Sequence, residues 1–282
     1  MGGPAYIISA YKRPDLLFRL VSALGDAPTA IHVDRRSPIF YEVHERLGGL
    51  DHIELLQRHV CKWGRFGHVR ASLKGLRWLR QTDCSHAILL TGQCYPLVSK
   101  AEIARELRDL GQRSRIRMQP FPLPQWANER GGYDRVERIY FQLWGSETMR
   151  FLPRVRRRVP RGLHPWGGGG YWCMSRRHAD HVLDTVDRVP GLRRFFERTL
   201  IPDETFFHTI LGNSEHAGEI ENEKTHFIKW VPVSPSPKTL QVQDLAEAFA
   251  SRAWFGRKFD DEAVLDAIDS HLANRESGPA SN

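Results

Sequence analysis

The chain is poor in cysteine and has no long hydrophobic run. Its four cysteines, Cys61, Cys84, Cys94 and Cys173, show neither the paired spacing of a metal motif nor a disulfide framework. The longest apolar stretches, around Ala5–Ala10 and Ala87–Leu90, fall far short of the ~20 residues that cross a bilayer. Met1-Gly2-Gly3-Pro4 passes directly into a strand-like run, leaving no room for a signal peptide. A soluble chain in reducing, cytoplasmic surroundings is therefore expected. The glycines make no G-x-G-x-x-G pattern and there is no Walker P-loop, which argues against nicotinamide cofactors and ATP hydrolysis. Nor do any two aspartates stand two positions apart. Repeats and low-complexity tracts are missing as well.

What is present is a basic chain of ordinary globular composition. It carries 41 Lys and Arg against 33 Asp and Glu, a formal net charge of +8. Much of the excess sits in Arg150, Arg154, Arg156, Arg157, Arg158 and Arg161, interrupted by Pro153 and Pro160. Such a cluster suits a solvated loop first and peripheral contact with the inner face of a membrane second. No nucleic-acid-binding signature accompanies it, so a basic nucleic-acid-binding protein is the weaker of the alternatives.

Strand-like and helix-like segments alternate along the first part of the chain. Tyr6–Ala10 reads as a buried strand, Pro14–Leu24 as an amphipathic helix stopped by Gly25, and Thr29–Val33 as a strand ending in Asp34. Ile53–Leu56 is a third strand, Phe66–Leu79 a helix, and His86–Leu90 a fourth strand before the turn Thr91-Gly92-Gln93. This alternation predicts a mostly parallel sheet with helices on both faces. Ligands of such sheets bind beyond the carboxyl ends of the strands, where Asp34 and the Gly92 turn lie. The 282 residues are read as a single domain. About 1–110 would form a nucleotide-binding half, about 111–275 an acceptor and catalytic half, and 276–282 a disordered tail.

Residues 112–165 lack clean periodicity and read as long loops carrying Trp126, Tyr133 and Trp144. The run Gly167-Gly168-Gly169-Gly170, set between Trp166 and Tyr171-Trp172, allows a backbone to approach a ligand closely. A helix follows from about His178 to Val186. The segment Pro202-Asp203-Glu204-Thr205-Phe206-Phe207 places an acid pair at a helix start, with Asp203 as N-cap and Glu204 in the first turn. Flanking phenylalanines would limit hydration of Glu204 and raise its pKa, which suits a general base. Arg257-Lys258, between aromatics, reads as an anion clamp or as a snorkelling surface pair. Asp260-Asp261-Glu262 reads as a helix N-terminus.

Taken in order, several segments resemble the core-2/I-branching β-1,6-N-acetylglucosaminyltransferase family, which also contains the peptide O-xylosyltransferases. They are Ala5–Pro14, Ile31–Asp34, Trp63-Gly64-Arg65-Phe66 with Val69–Leu73, Leu90–Leu97, Gly167–Arg176, Pro202-Asp203-Glu204 and Arg257–Asp260. The resemblance extends from about Ala5 to Asp260 and implies a GT-A-type α/β fold. It also implies inverting, metal-independent transfer of a sugar, N-acetylglucosamine or xylose, from a UDP-sugar to a glycan, polysaccharide or lipid-linked acceptor. The missing Asp-x-Asp agrees with that chemistry, and no cofactor beyond the UDP-sugar donor is implied. By the same resemblance Glu204 is the base, Asp34 contacts the nucleoside, Lys258 contacts the diphosphate with Arg257 or Lys238 as its helper, and Trp230 lines the acceptor site. Tyr11, Trp63, Gly92, Gln93, Gly168 and Gly169 complete the expected substrate-binding set. Tyr11, Cys94 and Gly169 depart from the His, Asp and Ser frequent in the family. A catalytically inactive sugar-nucleotide- or glycan-binding protein is the main alternative. Compared with its animal relatives, the chain reads as a bacterial catalytic domain without their anchor and stem.

Overall fold

The computed structural model describes residues 2–143, 146, 148–231 and 236–277. Trp144 and residues 278–282 of the expected tail lie outside them. In the first part the elements are β1 (Pro4–Ala10), α1 (Pro14–Leu24), β2 (Thr29–Val33), α2 (Phe40–Leu47), β3 (Ile53–Leu55), α3 (Gly67–Leu79), β4 (His86–Thr91), β5 (Cys94–Pro96) and α4 (Lys100–Leu110). The second part adds β6 (Ser114–Pro120), α5 (Tyr133–Glu137), β7 (Tyr140–Phe141), β8 (Arg150–Phe151), β9 (Trp166–Ser175), α6 (Arg176–Arg188), α7 (Leu192–Phe196) and α8 (Phe206–Gly212). It closes with β10 (Ile220–Glu221), β11 (His226–Ile228), α9 (Leu245–Ala250), β12 (Phe255–Arg257) and α10 (Glu262–Ser277).

The main sheet has seven strands in the order β10-β6-β9-β4-β1-β2-β3. The pairs β1–β2, β1–β4, β2–β3 and β6–β10 are parallel, while β9 runs antiparallel to both β4 and β6. The α/β class with a mostly parallel sheet is as the alternation predicts. Strand β1 is largely apolar because helices cover both faces. Tyr6 and Ile8 pack with Leu17 and Leu20 of α1, and Ala5 and Ile7 with Val69, Leu73 and Leu76 of α3. Helix α1 begins at Pro14 and ends at Gly25, whose φ of 68° costs glycine little.

Two readings of the second part need correction. The stretch 112–165 is not all loop, since β6 lies within it and pairs with both β9 and β10. Ile116 and Met118 face the core while arginines take the alternate positions, so the inward period is hidden by charge. The glycine run, expected to let the backbone approach a ligand, forms the first half of β9. What its backbone approaches closely is first another strand. A Cβ on Gly168 would stand 1.9 Å from the carbonyl oxygen of Arg117, and one on Gly167 would stand 2.6 Å from the ring of Trp126. A three-stranded sheet, β11-β12-β5, draws the late segments of the chain onto the turn after β4. Among the described residues no helix is long and apolar enough to cross a membrane.

The crowding at β9 is directly testable by thermal or urea unfolding. Gly168→Ala should destabilise the fold by roughly 1–3 kcal/mol, as overpacking does. At Gly169 the nearest atom to an added Cβ is 3.8 Å away, so Gly169→Ala should cost less than about 1 kcal/mol.

Candidate active site

Pro202–Glu204 form a single 3-10 turn, entered through Ile201 in the left-handed region at φ 47°. Thr205, at φ −137°, breaks the path, and α8 begins only at Phe206. Asp203 is therefore not the N-cap of α8, and Glu204 ends this 3-10 turn rather than opening α8. The helix-dipole contribution expected for Glu204 is replaced by a side-chain cation. Arg135 Nη1 donates to Glu204 Oε2 at 2.6 Å. Arg135 is only 7% exposed, also pairs with Glu129, and lies 3.7 Å over the ring of Trp126. Burial raises the Glu204 carboxyl to about 7 against the pull of Arg135, with the neighbouring Asp203 adding to the rise. Burial likewise raises Asp203 to about 6. A Cβ on Gly170 would stand 3.5 Å from Asp203 Oδ2 and 3.8 Å from Glu204 Cγ. A side chain there would cover the acid turn, so glycine leaves that face open. Phe206 and Phe207 point into the core.

Asp34 closes the end of β2, its amide donating to the carbonyl of Ala10. Its carboxylate accepts from the amides of Arg36 at 2.8 Å and Cys61 at 2.9 Å. Burial works against its charge, but the hydrogen bonds from Arg36 and Cys61 hold its pKa below the ordinary value. The Cys61 segment leads to Trp63, which is 63% exposed, and to Gly64, whose carbonyl accepts from the amide of Ile201. Asp34 and the acid turn are thus joined by one short stretch of chain.

The Gly92 turn is tied to the strand before it and to the late segment. Gly92 donates its amide to the carbonyl of Ser9, while Gln93 and Phe259 exchange backbone and side-chain hydrogen bonds at 3.0 Å. Cys94, the departure from Asp, is buried and its sulfur accepts from the amide of Thr91 at 3.3 Å. Opposite it in the small sheet stands Arg257. The Arg257 guanidinium lies 5.1 Å from the ring centroid of Tyr171, its Nε is buried without a hydrogen-bond partner, and burial lowers its pKa. Lys258 follows, its pKa lowered by burial and then by the nearby charge of Lys12. Asp260 pairs with Lys12 and Arg13, which holds the segment against the start of α1. Tyr11 is 53% exposed and lies within electrostatic reach of Arg257.

Backbone hydrogen bonds thus tie Asp34 and Gly92 to the end of β1, the Gly64 carbonyl to Ile201 before the acid turn, and Gln93 to Phe259 beside Arg257 and Lys258, while Gly168 and Gly169 precede Gly170 on β9. Lys238 is differently engaged: its Nζ lies 2.8 Å from both oxygens of Asp244, a carboxylate it shares with Lys229. Trp230 is 58% exposed just past β11, whose Ile228 pairs with Arg257. Arg156 and Arg157 of the basic cluster serve the fold, Arg156 pairing with Asp134 and Glu137 and Arg157 bonding the carbonyls of Arg138, Phe195 and Arg198. A cavity of about 160 Å³ lined by Leu24, Tyr95, Ile103 and Leu272 lies apart from these groups, and its Asp269 is taken by Tyr95.

The sequence model described as Core-2/I-Branching enzyme matches residues 5–252. The chain belongs to that family. The Core-2/I-Branching match spans β1 through α9, and so takes in the strand ends, the glycine strand and the acid turn together. Rat xylosyltransferase 2 is 25% identical over 267 residues, and rat xylosyltransferase 1 is 27% identical over 270 residues. Each alignment covers 86% of this chain but only 30% and 32% of the two relatives. Among solved structures, S. aureus TarS 1–349 in complex with UDP superposes with a TM-score of 0.41 at 12% identity, over 97% of this chain and 71% of the other. That score is low, and the fold description rests on the sheet order itself.

Arg135 and Glu129 escape a sequence reading because they lie in a stretch without periodicity, and Trp126, noted there as a loop aromatic, lies beneath the Arg135 guanidinium. Their signal was the pair Gly131-Gly132, both at positive φ, which folds that stretch back beside Phe121 and Trp126. Because Arg135 opposes the effect of burial, Arg135→Met should raise the pKa of Glu204 above about 7. Carboxyl NMR titration of Glu204 checks this, and an unchanged or lower value would contradict the assigned role. Both acids titrate higher folded than unfolded. They therefore favour the fold fully below their unfolded pKa, and that advantage is lost as pH rises through about 6 to 7.

Proposed function

We propose that the chain is an inverting glycosyltransferase that moves a sugar from a UDP-sugar to an acceptor hydroxyl without a metal ion at the diphosphate. The observation that carries this reading is the placement of Glu204, held by Arg135 at 2.6 Å beside Gly170 of β9, where burial pushes its carboxyl up to about 7. A base must be largely deprotonated at working pH yet still hold the proton it takes, and this environment suits that task. In the step, the acceptor oxygen bonds to the anomeric carbon from the face opposite the donor phosphate. Its proton passes to Glu204. The bond from the anomeric carbon to the diphosphate oxygen breaks, and its electron pair stays on UDP. Positive charge fixed at the leaving oxygen stabilises that change, and Lys258 with Arg257 beside it is the pair proposed to supply it. Lys238 is the weaker helper because Asp244 already neutralises it.

The relatives named xylosyltransferases make UDP-xylose the first donor to test, with UDP-N-acetylglucosamine second. The acceptor class is a glycan, a surface polysaccharide or a lipid-linked intermediate. Asp34 is suited to the nucleoside, and exposed Trp63, Tyr11 and Trp230 offer ring faces for sugars. A thermal-shift panel of nucleotide sugars, followed by assay of UDP release, tests the reading. Glu204→Gln should keep the donor-induced shift while lowering turnover at least ~100-fold. Near-normal turnover in that variant would remove the glutamate from the mechanism, and donor binding without UDP release in the native chain would mark a binding protein.

Lys258→Ala should weaken UDP binding and slow transfer together. Activity should survive EDTA when assayed well below the melting temperature. Transfer that returns only with Mn2+ or Mg2+ would overturn the cation-only account of the leaving group.

A further inference from the structure

At the end of β9 opposite Gly170, three side chains of metal-ligand type meet away from the acid turn. His178, fully buried in α6, places Nδ1 2.6 Å from Ser114 Oγ and Nε2 3.0 Å from Glu219 Oε2. His216 is 6% exposed, and its Nδ1 is buried with no hydrogen-bond partner. That nitrogen lies 3.7 Å from the same Oε2. One ligand atom from each of the three residues falls within 4.8 Å of the other two. We propose that His178, His216 and Glu219 form a site for a divalent transition metal, with Zn2+ the fitting ion, clamping α6 to the turn before β10.

The spacing supports a shared ion. Tetrahedral bonds of about 2.0–2.1 Å put neighbouring ligand atoms about 3.3–3.4 Å apart, and the two closest separations fall on either side of that value. A buried imidazole nitrogen with no donor or acceptor is costly unless something meets it. The surroundings resemble the outer support such ligands need. Ser114 holds the far nitrogen of His178, and Arg177 holds the other oxygen of Glu219 at 3.1 Å. Glu215 lies 3.9 Å from Nε2 of His216, and His181 meets the His216 ring edge-on. Two imidazoles and one carboxylate select Zn2+ over Mg2+ or Ca2+, and a fourth ligand would come from solvent.

A second group, His32, His59 and Cys61, does not offer the same case. His59 Nε2 already meets the carbonyl of Gly67, His32 Nε2 accepts from the amide of His59, and burial raises the Cys61 thiol to about 12. The experiment is dialysis of the chelator-treated chain against micromolar ZnCl2, with metal analysis and thermal melting. One Zn2+ per chain and a rise in Tm are expected. Glu219→Gln and His216→Ala, each checked by circular dichroism for native structure, should weaken Zn2+ retention at least ~10-fold, while Cys61→Ser should not. The UDP-induced Tm shift should persist in Glu219→Gln, which separates this site from the transfer chemistry. No stoichiometric Zn2+, or retention unchanged in Glu219→Gln, would refute the site. That conservative variant decides the matter even if His216→Ala fails to fold.

Discussion

Much of this molecule depends on one strand, β9, lying antiparallel between two strands of otherwise parallel surroundings. A strand inserted in that sense sends its first half past the carboxyl ends of β4 and β1, where only loops would otherwise lie. The glycines there have no side chains to hold neighbours away. Arg117 of β6 therefore closes on one part of the strand, Trp126 on another, and the acid turn on a third. His208 of α8 adds a hydrogen bond at 2.9 Å to the carbonyl of Gly169. A bulkier run would push these layers apart, and the carboxylate pair would lose its burial with them.

The second governing relation is the balance at Glu204. Burial alone would leave a carboxylate neutral in the fold, and a fully satisfied ion pair would leave it too weak a base. Arg135 supplies part of a pair because it divides its guanidinium between Glu129 and Glu204. The ring of Trp126 beneath it limits its own hydration. The chemistry proposed for this chain needs that intermediate state, and it arises from the 3-10 segment Pro124–Gly132 and the short helix α5.

Sequence patterning was most informative where periodicity and punctuation agreed. Pro14 and Gly25 bound α1, Thr29–Val33 is β2, and Ala263 donates its amide to the carboxylate of Asp261 at the start of α10, as expected of a helix head. It was least informative where a strand carried arginines on one side, as β6 does. It also failed where glycines, poor strand formers by propensity, were held in a sheet by their neighbours. The acid turn shows a third kind of limit. Proline followed by two acids reads as a helix start, but Ile201 lies in the left-handed region, the path breaks at Thr205, and Phe206 and Phe207 are buried in the core. Arg135 and Glu204 stand 69 positions apart in the chain, a pairing that no local pattern announces.

Arg257 carries a consequence for selectivity. A guanidinium withdrawn from water, with one nitrogen unpartnered, projects nearly the same field whether or not a ligand is present. Such a centre ranks incoming molecules by charge before it ranks them by shape. Nucleotides of many kinds bring a dianionic or trianionic tail, so charge alone separates them poorly. On the proposed function, discrimination among them falls to the uncharged parts of the ligand and to the groups proposed to meet them: the ionised Asp34 on one side and the exposed rings of Tyr11 and Trp63 on the other. In the proposed transfer reaction the base and the sugar are then left to be read at the rim, while the interior cation registers only that a phosphate has arrived.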